Sequence, residues 1–231
     1  MMTTMTKTKL SQQTLNLLKN YSTINSNILV KSGNEICTIS PVKNVMSQST
    51  VEETFDTEFG IWDLNKFLGV VSLFDKPEFE FDEKSVTISG SGASSVQYYY
   101  SEPSLLSVPT KSITMPQSVV SFKLTKYAFA ELQKAAAVLQ VSDLAVRSDG
   151  SVLQLAVLDK NDVSSNSYTI DLGELPHDNH EFVFYFKVEN LKMLEGDYTV
   201  EISDKNISQF SHTTTDLTYW IALETDSKYT A

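Results

Sequence analysis

Apolar residues recur at helical spacing near the start of the chain. Leu10, Thr14, Leu17, Leu18 and Tyr21 fall on one face, with Gln12, Asn16 and Lys19 opposite, so an amphipathic helix is expected over residues 10–21. Strand-like segments follow at 28–31 and 35–40, separated by a turn at Gly33-Asn34. Asp63 suits the N-cap of a second helix running to Phe74, and Pro77 closes it. Strands are expected again at 79–81, 85–89 and 96–101, where Tyr98-Tyr99-Tyr100 suits a pleated, half-buried surface. Residues 101–118 hold Pro103, Pro109 and Pro116 and read as an extended connector. Its Leu105, Leu106, Val108, Ile113 and Met115 imply that it lies along a surface.

The pattern then restarts. A strand at 119–124 leads to Thr125, the cap of a helix over 126–140 whose Phe129, Leu132, Ala136 and Leu139 face inward. Asp149-Gly150 is a hairpin signal between strands at 144–147 and 152–158. Strands at 168–172 and 182–186 precede a short helix at 188–194 that ends at Gly196. Strands at 198–203, 207–211 and 217–224 close the chain.

The second half therefore repeats the first at a period of about 120 residues, too long for a solenoid and right for a duplicated domain. Two stretches anchor the repeat: residues 24–33 read like 141–150, and residues 59–68 read like 184–193. Each half is expected to be an α+β domain, with helices on one face of antiparallel sheets. The divisions expected are a disordered N-terminal extension at 1–8, a first domain at 9–102, the connector at 103–118 and a second domain at 119–231.

Composition narrows the function. The 231 residues are 41% hydrophobic, enough for two cores. Formal net charge is −11, from 18 basic and 29 acidic residues, which argues against a simple basic nucleic-acid binder. A single cysteine, Cys37, rules out an internal disulfide and fits a reducing compartment. No apolar run is long enough to span a membrane, and the opening residues lack the apolar stretch of a secretory signal.

Catalytic signals are weak. His177-x-x-His180 sits among turn formers and lacks further ligands, so it reads as a solvated loop rather than a metal site. Gly90-Ser91-Gly92 lacks the Lys-Ser/Thr of a phosphate loop and reads as a hairpin bend. Cys37 reads as a packed thiol, and Glu78, Glu80, Asp82 and Glu83 as the wet face of a strand. No catalytic residue, metal or cofactor is assigned.

Charge is instead segregated by element. The helical segments hold Lys9, Lys19, Lys66, Lys126, Lys134, Lys187 and Lys192 against only Glu131 and Glu189. One reading is that lysine is common on any exposed helix. The other is that the helices share a surface facing a polyanion, with Gln12, Gln13, Asn16, Asn65, Gln133 and Asn190 between the lysines. Such a surface makes weak, sequence-blind phosphate contacts. The sole arginine, Arg147, lies in a strand, so no arginine fork reads base edges from these helices.

From Lys9 to Ser227 the chain resembles the DNA sliding clamps, the polymerase processivity factors, of large contractile-tailed bacteriophages. The likeness rests on Lys9-Leu10-Ser11, Leu17-Leu18-Lys19-Asn20, Thr23-Ile24-Asn25-Ser26 and Lys31-Ser32-Gly33. It continues through Asp63-Leu64-Asn65, Phe67-Leu68-Gly69, Leu139-Gln140, Asn190-Leu191-Lys192-Met193, Gly196-Asp197-Tyr198 and residues 222–227. Residues 94–118 and the first eight residues depart from the family pattern. The resemblance implies a ring of three identical chains and six similar domains, its helices lining a hole around duplex DNA. It implies tethering of the replicative DNA polymerase in the host bacterial cytoplasm, opening by an ATP-driven clamp loader, help to late-transcription factors, and no enzymatic activity. Candidate DNA-facing residues are Lys9, Gln12, Asn16, Lys19, Lys66, Lys126, Gln133, Lys134 and Lys192. Candidate partner-pocket residues are Leu105, Leu106, Val108 and Tyr219, with ordinary core contacts as their alternative. A phage tail or baseplate protein with duplicated β-rich domains, and an enzyme with dispersed residues, are the competing readings.

Overall fold

A computed structural model describes residues 7–174 and 180–230. The chain divides into two compact units, Met1–Ser112 and Ile113–Ala231. Leu175 to Asn179, and with them His177, lie outside the described residues.

Unit 1 runs α1 (Gln12–Ile24), β1 (Ile28–Val30), β2 (Gly33–Ile39), β3 (Val45–Phe55), β4 (Phe59–Ile61), α2 (Leu64–Val71), β5 (Glu78–Phe81), β6 (Ser85–Ser89) and β7 (Ser95–Tyr99). All strand pairs are antiparallel: β1 with β4, β2 with β3, and the meander β5-β6-β7. The helices form where composition and caps agree. Ser11 accepts a hydrogen bond from Thr14 N at the start of α1, and Asp63 does the same for Lys66 N at the start of α2. α1 buries Thr14, Leu17, Leu18, Tyr21 and Ile24, and packs beside α2. Phe55, Phe59, Phe79 and Phe81 join the strands of unit 1 through edge-on, tilted and stacked ring contacts, and Phe67 of α2 adds a tilted contact to Phe79.

Unit 2 repeats this order: β8 (Val120–Leu124), α3 (Lys126–Leu139), β9 (Asp143–Asp149), β10 (Val152–Leu158), β11 (Tyr168–Glu174), β12 (Glu181–Lys187), β13 (Tyr198–Ser203), β14 (Ile207–His212), β15 (Leu217–Ala222) and β16 (Lys228–Tyr229). One sheet has the order β11-β10-β9-β12-β16, and a second ladder runs β8-β13-β14-β15. Thr125 caps α3, and its buried side is Phe129, Leu132 and Ala136. Gly33 and Gly150 stand at equivalent turns, with φ of 112° and 93°, the left-handed backbone that glycine adopts freely.

Four sequence expectations are corrected. Residues 188–194 do not form a fourth helix: a single 3-10 turn, Val188–Asn190, gives way to extended chain. Leu191 and Met193 are buried while Lys192 is exposed, a period-two pattern held by tertiary bonds rather than by a helix. Those bonds are Gln133 Nε2 to Leu191 O (3.3 Å), Leu194 N to Tyr219 Oη (3.1 Å) and Tyr198 Oη to Leu194 O (2.6 Å). Second, β3, the longest strand at 11 residues, was not expected. Its inward positions include Ser47 and Ser49, so the apolar alternation is hidden; Ser47 Oγ lies 3.0 Å from the buried Tyr21 hydroxyl. Third, α2 ends at Val71, and Leu73 N and Phe74 N turn back to Val70 O and Val71 O in tighter 3-10 bonds. Fourth, the expected frayed extension is not free at its end. Thr8 exchanges two 2.8 Å backbone bonds with Phe79, the place on β5 that β8 occupies on β13, while the first six residues lie outside those described.

Candidate nucleic-acid interface and connector groove

The exposed faces of the helices are mostly uncharged. α1 presents Gln12, Gln13, Asn16, Lys19 and Thr23; α2 presents Asn65, Lys66 and Gly69; α3 presents Tyr127, Ala130, Glu131, Lys134, Ala137 and Val138. Lys19, Lys66 and Lys134 stand on these faces without a carboxylate in ion-pair range among the described residues. Gln12 Nε2 donates to Asn16 Oδ1 (2.8 Å), which orients both amides along α1.

The other lysines are placed differently. Lys9 precedes α1 and pairs with Glu78 on β5 (3.3 Å); with Lys7 it donates to the Glu78 carboxylate and holds it below the usual range. Lys126 is half-buried, its Nζ 5.1 Å from the centre of the Tyr127 ring and its backbone N–H bonded to Asp197 (2.8 Å). The side-chain amide of Gln133 is committed to Leu191 O. Lys192 is exposed on extended chain. Lys187 ends β12, with Nζ 2.7 Å from the fully buried Asp143 carboxylate. The helix-borne charge is therefore sparser than the lysine count suggests.

The connector builds a second feature. A cavity of about 240 Å³ lies between residues 108–112 and the outward side chains of β1, β2 and β3. Its lining includes Leu29, Lys31, Cys37, Met46, Val108 and Lys111. Glu35 also borders it and accepts a hydrogen bond from Gln48 Nε2 (2.6 Å). Lys31 and Lys111 have no ion-pair partner among the described residues. Burial, and after it the neighbouring Glu35 carboxylate, pushes the Cys37 thiol up to about 12, so it stays neutral near pH 7 and reacts slowly, through its small thiolate fraction.

Of the pocket residues expected from sequence, Val108 alone lines this cavity. Leu106 is 8% exposed and packs against Gly60; Leu105 is 64% exposed; Tyr219 has no exposed surface and sits in the core of unit 2. The floor residues were missed because nothing in Glu35-Ile36-Cys37 marks a site until β2 is paired and its two faces are known. Among the described residues no group of acidic, histidine and cysteine side chains is arranged to hold a metal ion.

Two family models match the chain. One, described as DNA polymerase processivity factor, covers residues 9–115; the other, the C-terminal part of the gp45 sliding clamp, covers residues 121–225. The sliding clamp of Vibrio phage KVP40 is 30% identical over 94% of this chain and 99% of its own length. The chain belongs to the sliding-clamp family of DNA polymerase processivity factors. The sliding clamp of Enterobacteria phage T4 is 28% identical over 96% of this chain and 99% of its own length. Solved clamps share the fold at low identity. PCNA of A. fulgidus, bound to the C-terminal region of FEN-1, has a TM-score of 0.68 at 15% identity, over 96% of this chain and 99% of that one. The Helicobacter pylori beta clamp, bound to a DNA ligase peptide, has a TM-score of 0.69 at 11% identity, over 95% of this chain but only 65% of that longer one. Membership in the clamp family decides against the tail or baseplate reading and accounts for the duplicated α+β units.

Proposed function

We propose that three copies of this clamp close head to tail into a ring around duplex DNA, with α1, α2 and α3 facing the phosphates. The observation that carries this reading is the placement of Lys19, Lys66 and Lys134, unpaired on exposed helix faces, in a chain whose net charge is −11. An acidic outside repels stray DNA, while few inner lysines offset backbone charge without gripping it. A closed ring cannot leave the duplex sideways, so retention does not require affinity. The role is topological and non-enzymatic.

Two strand edges support the ring. β7 ends the meander β5-β6-β7 and β11 ends the larger sheet of unit 2, and each is paired on one side only among the described residues. Open edges invite another chain. Pairing β7 of one copy with β11 of the next is a head-to-tail contact, which forms a ring when its rotation closes.

The connector groove is the proposed docking place for a short peptide of the replicative polymerase. Leu29, Met46 and Val108 would take apolar side chains, and Lys31 and Lys111 an acidic one. Tethering raises the polymerase's effective concentration at the primer end. Late-transcription factors carrying such a peptide would compete for the same groove. An ATP-driven loader would open the ring in the host cytoplasm; among the described residues no helix is long and apolar enough to cross a membrane.

The test is retention on circular DNA after loading. Intact circles should hold the protein in high salt, and linearising them should release it within the time needed to slide off an end. Equal release from circles and linear DNA would overturn the topological reading.

A further inference from the structure

The connector is not held evenly along its length. Up to Ser107 it is fastened to unit 1. Ser101 N donates to Gly60 O (2.9 Å), and Leu106 fills the space beside Gly60. Asn25 Nδ2 donates to Ser107 O (3.1 Å) and to Ile39 O at the end of β2 (2.8 Å). Asn27 Oδ1 accepts from Ser107 N (3.0 Å), and Asn27 N donates back to Asn25 Oδ1 (3.1 Å). Both asparagines are buried, at 2% and 9% exposure, so these bonds are shielded from water. Beyond this point the pattern changes: among the described residues, 108–118 make no hydrogen bond. The groove wall therefore starts immediately after its last fixed point.

The kind of attachment matters. Direct ladder pairing would place the connector about 4.8 Å from its neighbouring strand, leaving no room for a ligand between them. Amide side chains are spacers. From the segment between α1 and β1 they satisfy both backbone polar groups of Ser107, so the connector is held there by side chains and not by a strand ladder.

We propose that Asn25 and Asn27 are the positioning residues of the connector groove: by fixing both polar groups of Ser107 they set how far residues 108–112 stand off the floor at Cys37. This rests on the reading of the groove as a docking place, but its test does not. Cys37 is the chain's single cysteine and lines the groove, so its reaction with a disulfide reagent reports the gap directly.

The experiment measures that rate in the assembled clamp for wild type, Asn27→Ala and Asn27→Asp, with particle mass and thermal midpoint recorded for each. Asn27→Ala should raise the Cys37 rate about fivefold, the factor carried by one net hydrogen bond. Asn27→Asp keeps the acceptor for Ser107 N and should return the rate close to wild type. If Asn27→Ala fails to fold, Ser107→Pro removes the same N–H from the connector side; Leu106, at φ −96° and ψ 143°, already has the extended backbone that precedes proline. An unchanged Cys37 rate in a folded variant of either kind overturns the proposal. Primer extension with the cognate polymerase is a separate arm. A higher polymerase concentration for half-maximal processivity, with an unchanged plateau, supports positioning of a docked partner. A raised Cys37 rate with unaltered polymerase dependence still supports the positioning role and rejects only the groove as the polymerase's site.

Discussion

Residue by residue, the charges of this clamp sort into those that hold the fold and those left for a partner. Lys160 is the clearest of the first kind. Its side chain is 10% exposed, bridges Asp226 (2.7 Å) and Glu224 (3.3 Å), and lies 5.3 Å from the centre of the Tyr185 ring. Burial lowers its proton affinity, but the two carboxylates outweigh that and raise it above the ordinary lysine value, while Asp226 is held below the usual range by the Lys160 hydrogen bond. The depressed carboxylate contributes stability that is complete above about pH 4 and is lost as pH falls through its lowered value. The raised amine contributes stability that is complete below about pH 10 and is lost above its own raised value. Lys160→Met should therefore lower the urea midpoint at pH 7, and the gap from wild type should shrink toward zero in acid titration. Lys134 is exposed, has no carboxylate in ion-pair range among the described residues, and is proposed to face DNA. Lys134→Glu should weaken loading on DNA and flatten the dependence of log K on log salt by about one phosphate contact, slope about 0.9, while leaving peptide binding to the clamp unchanged. Equal loss of both would place Lys134 away from DNA. Nothing in the sequence separates these two lysines; only the neighbours brought by folding do.

At the scale of elements, caps and close approaches carry the testable detail. The start of α1 is finished by a residue distant in sequence. Glu53 on β3, 8% exposed, accepts from Ser11 N and from the Thr14 hydroxyl, joining helix and strand. Glu53→Ala leaves those donors unsatisfied and should cost about 1–3 kcal/mol by urea denaturation, because a lost buried partner costs the desolvation of the group left behind. Gly60 on β4 is a steric limit. A β-carbon there would stand 2.6 Å from Leu106 Cδ1 and 2.7 Å from the Ser101 carbonyl oxygen, and the backbone oxygen cannot step aside. Gly60→Ala should lower the thermal midpoint and speed proteolysis within residues 101–118. Helices α1, α2 and α3 were legible because apolar spacing marks all three and a capping side chain, Asp63 or Thr125, marks the last two. The helix expected at 188–194 was not formed, since Leu191 and Met193 gain more from burial on alternate positions than from one further turn. Strand β3 was illegible for the converse reason: its inward serines look polar until Tyr21 is seen to satisfy one of them.

For the whole molecule, the decisive expectation is assembly. Lysine on an open edge discourages pairing, so Tyr99→Lys on β7 or Thr169→Lys on β11 should convert the trimer to smaller species by mass measurement across concentration. Both positions are exposed in the single chain, so the far-ultraviolet circular dichroism should hold. Strictly monomeric wild-type protein at all concentrations would remove the ring. Processivity should fall with the trimer in both variants, since topology rather than affinity retains the clamp.

The sequence by itself determined the duplicated α+β units, the buried faces of α1, α2 and α3, and the family, because each is written in local periodicity, caps or ordered short matches. Only the tertiary structure decided which lysines are spent on carboxylates, that Leu106 and Tyr219 are core residues, and that Cys37 and Val108 meet across a groove. The physical reason is range. Periodicity acts over a few residues, whereas Glu53 with Ser11, Lys187 with Asp143, and Asn27 with Ser107 are pairs joined only when distant strands and helices pack.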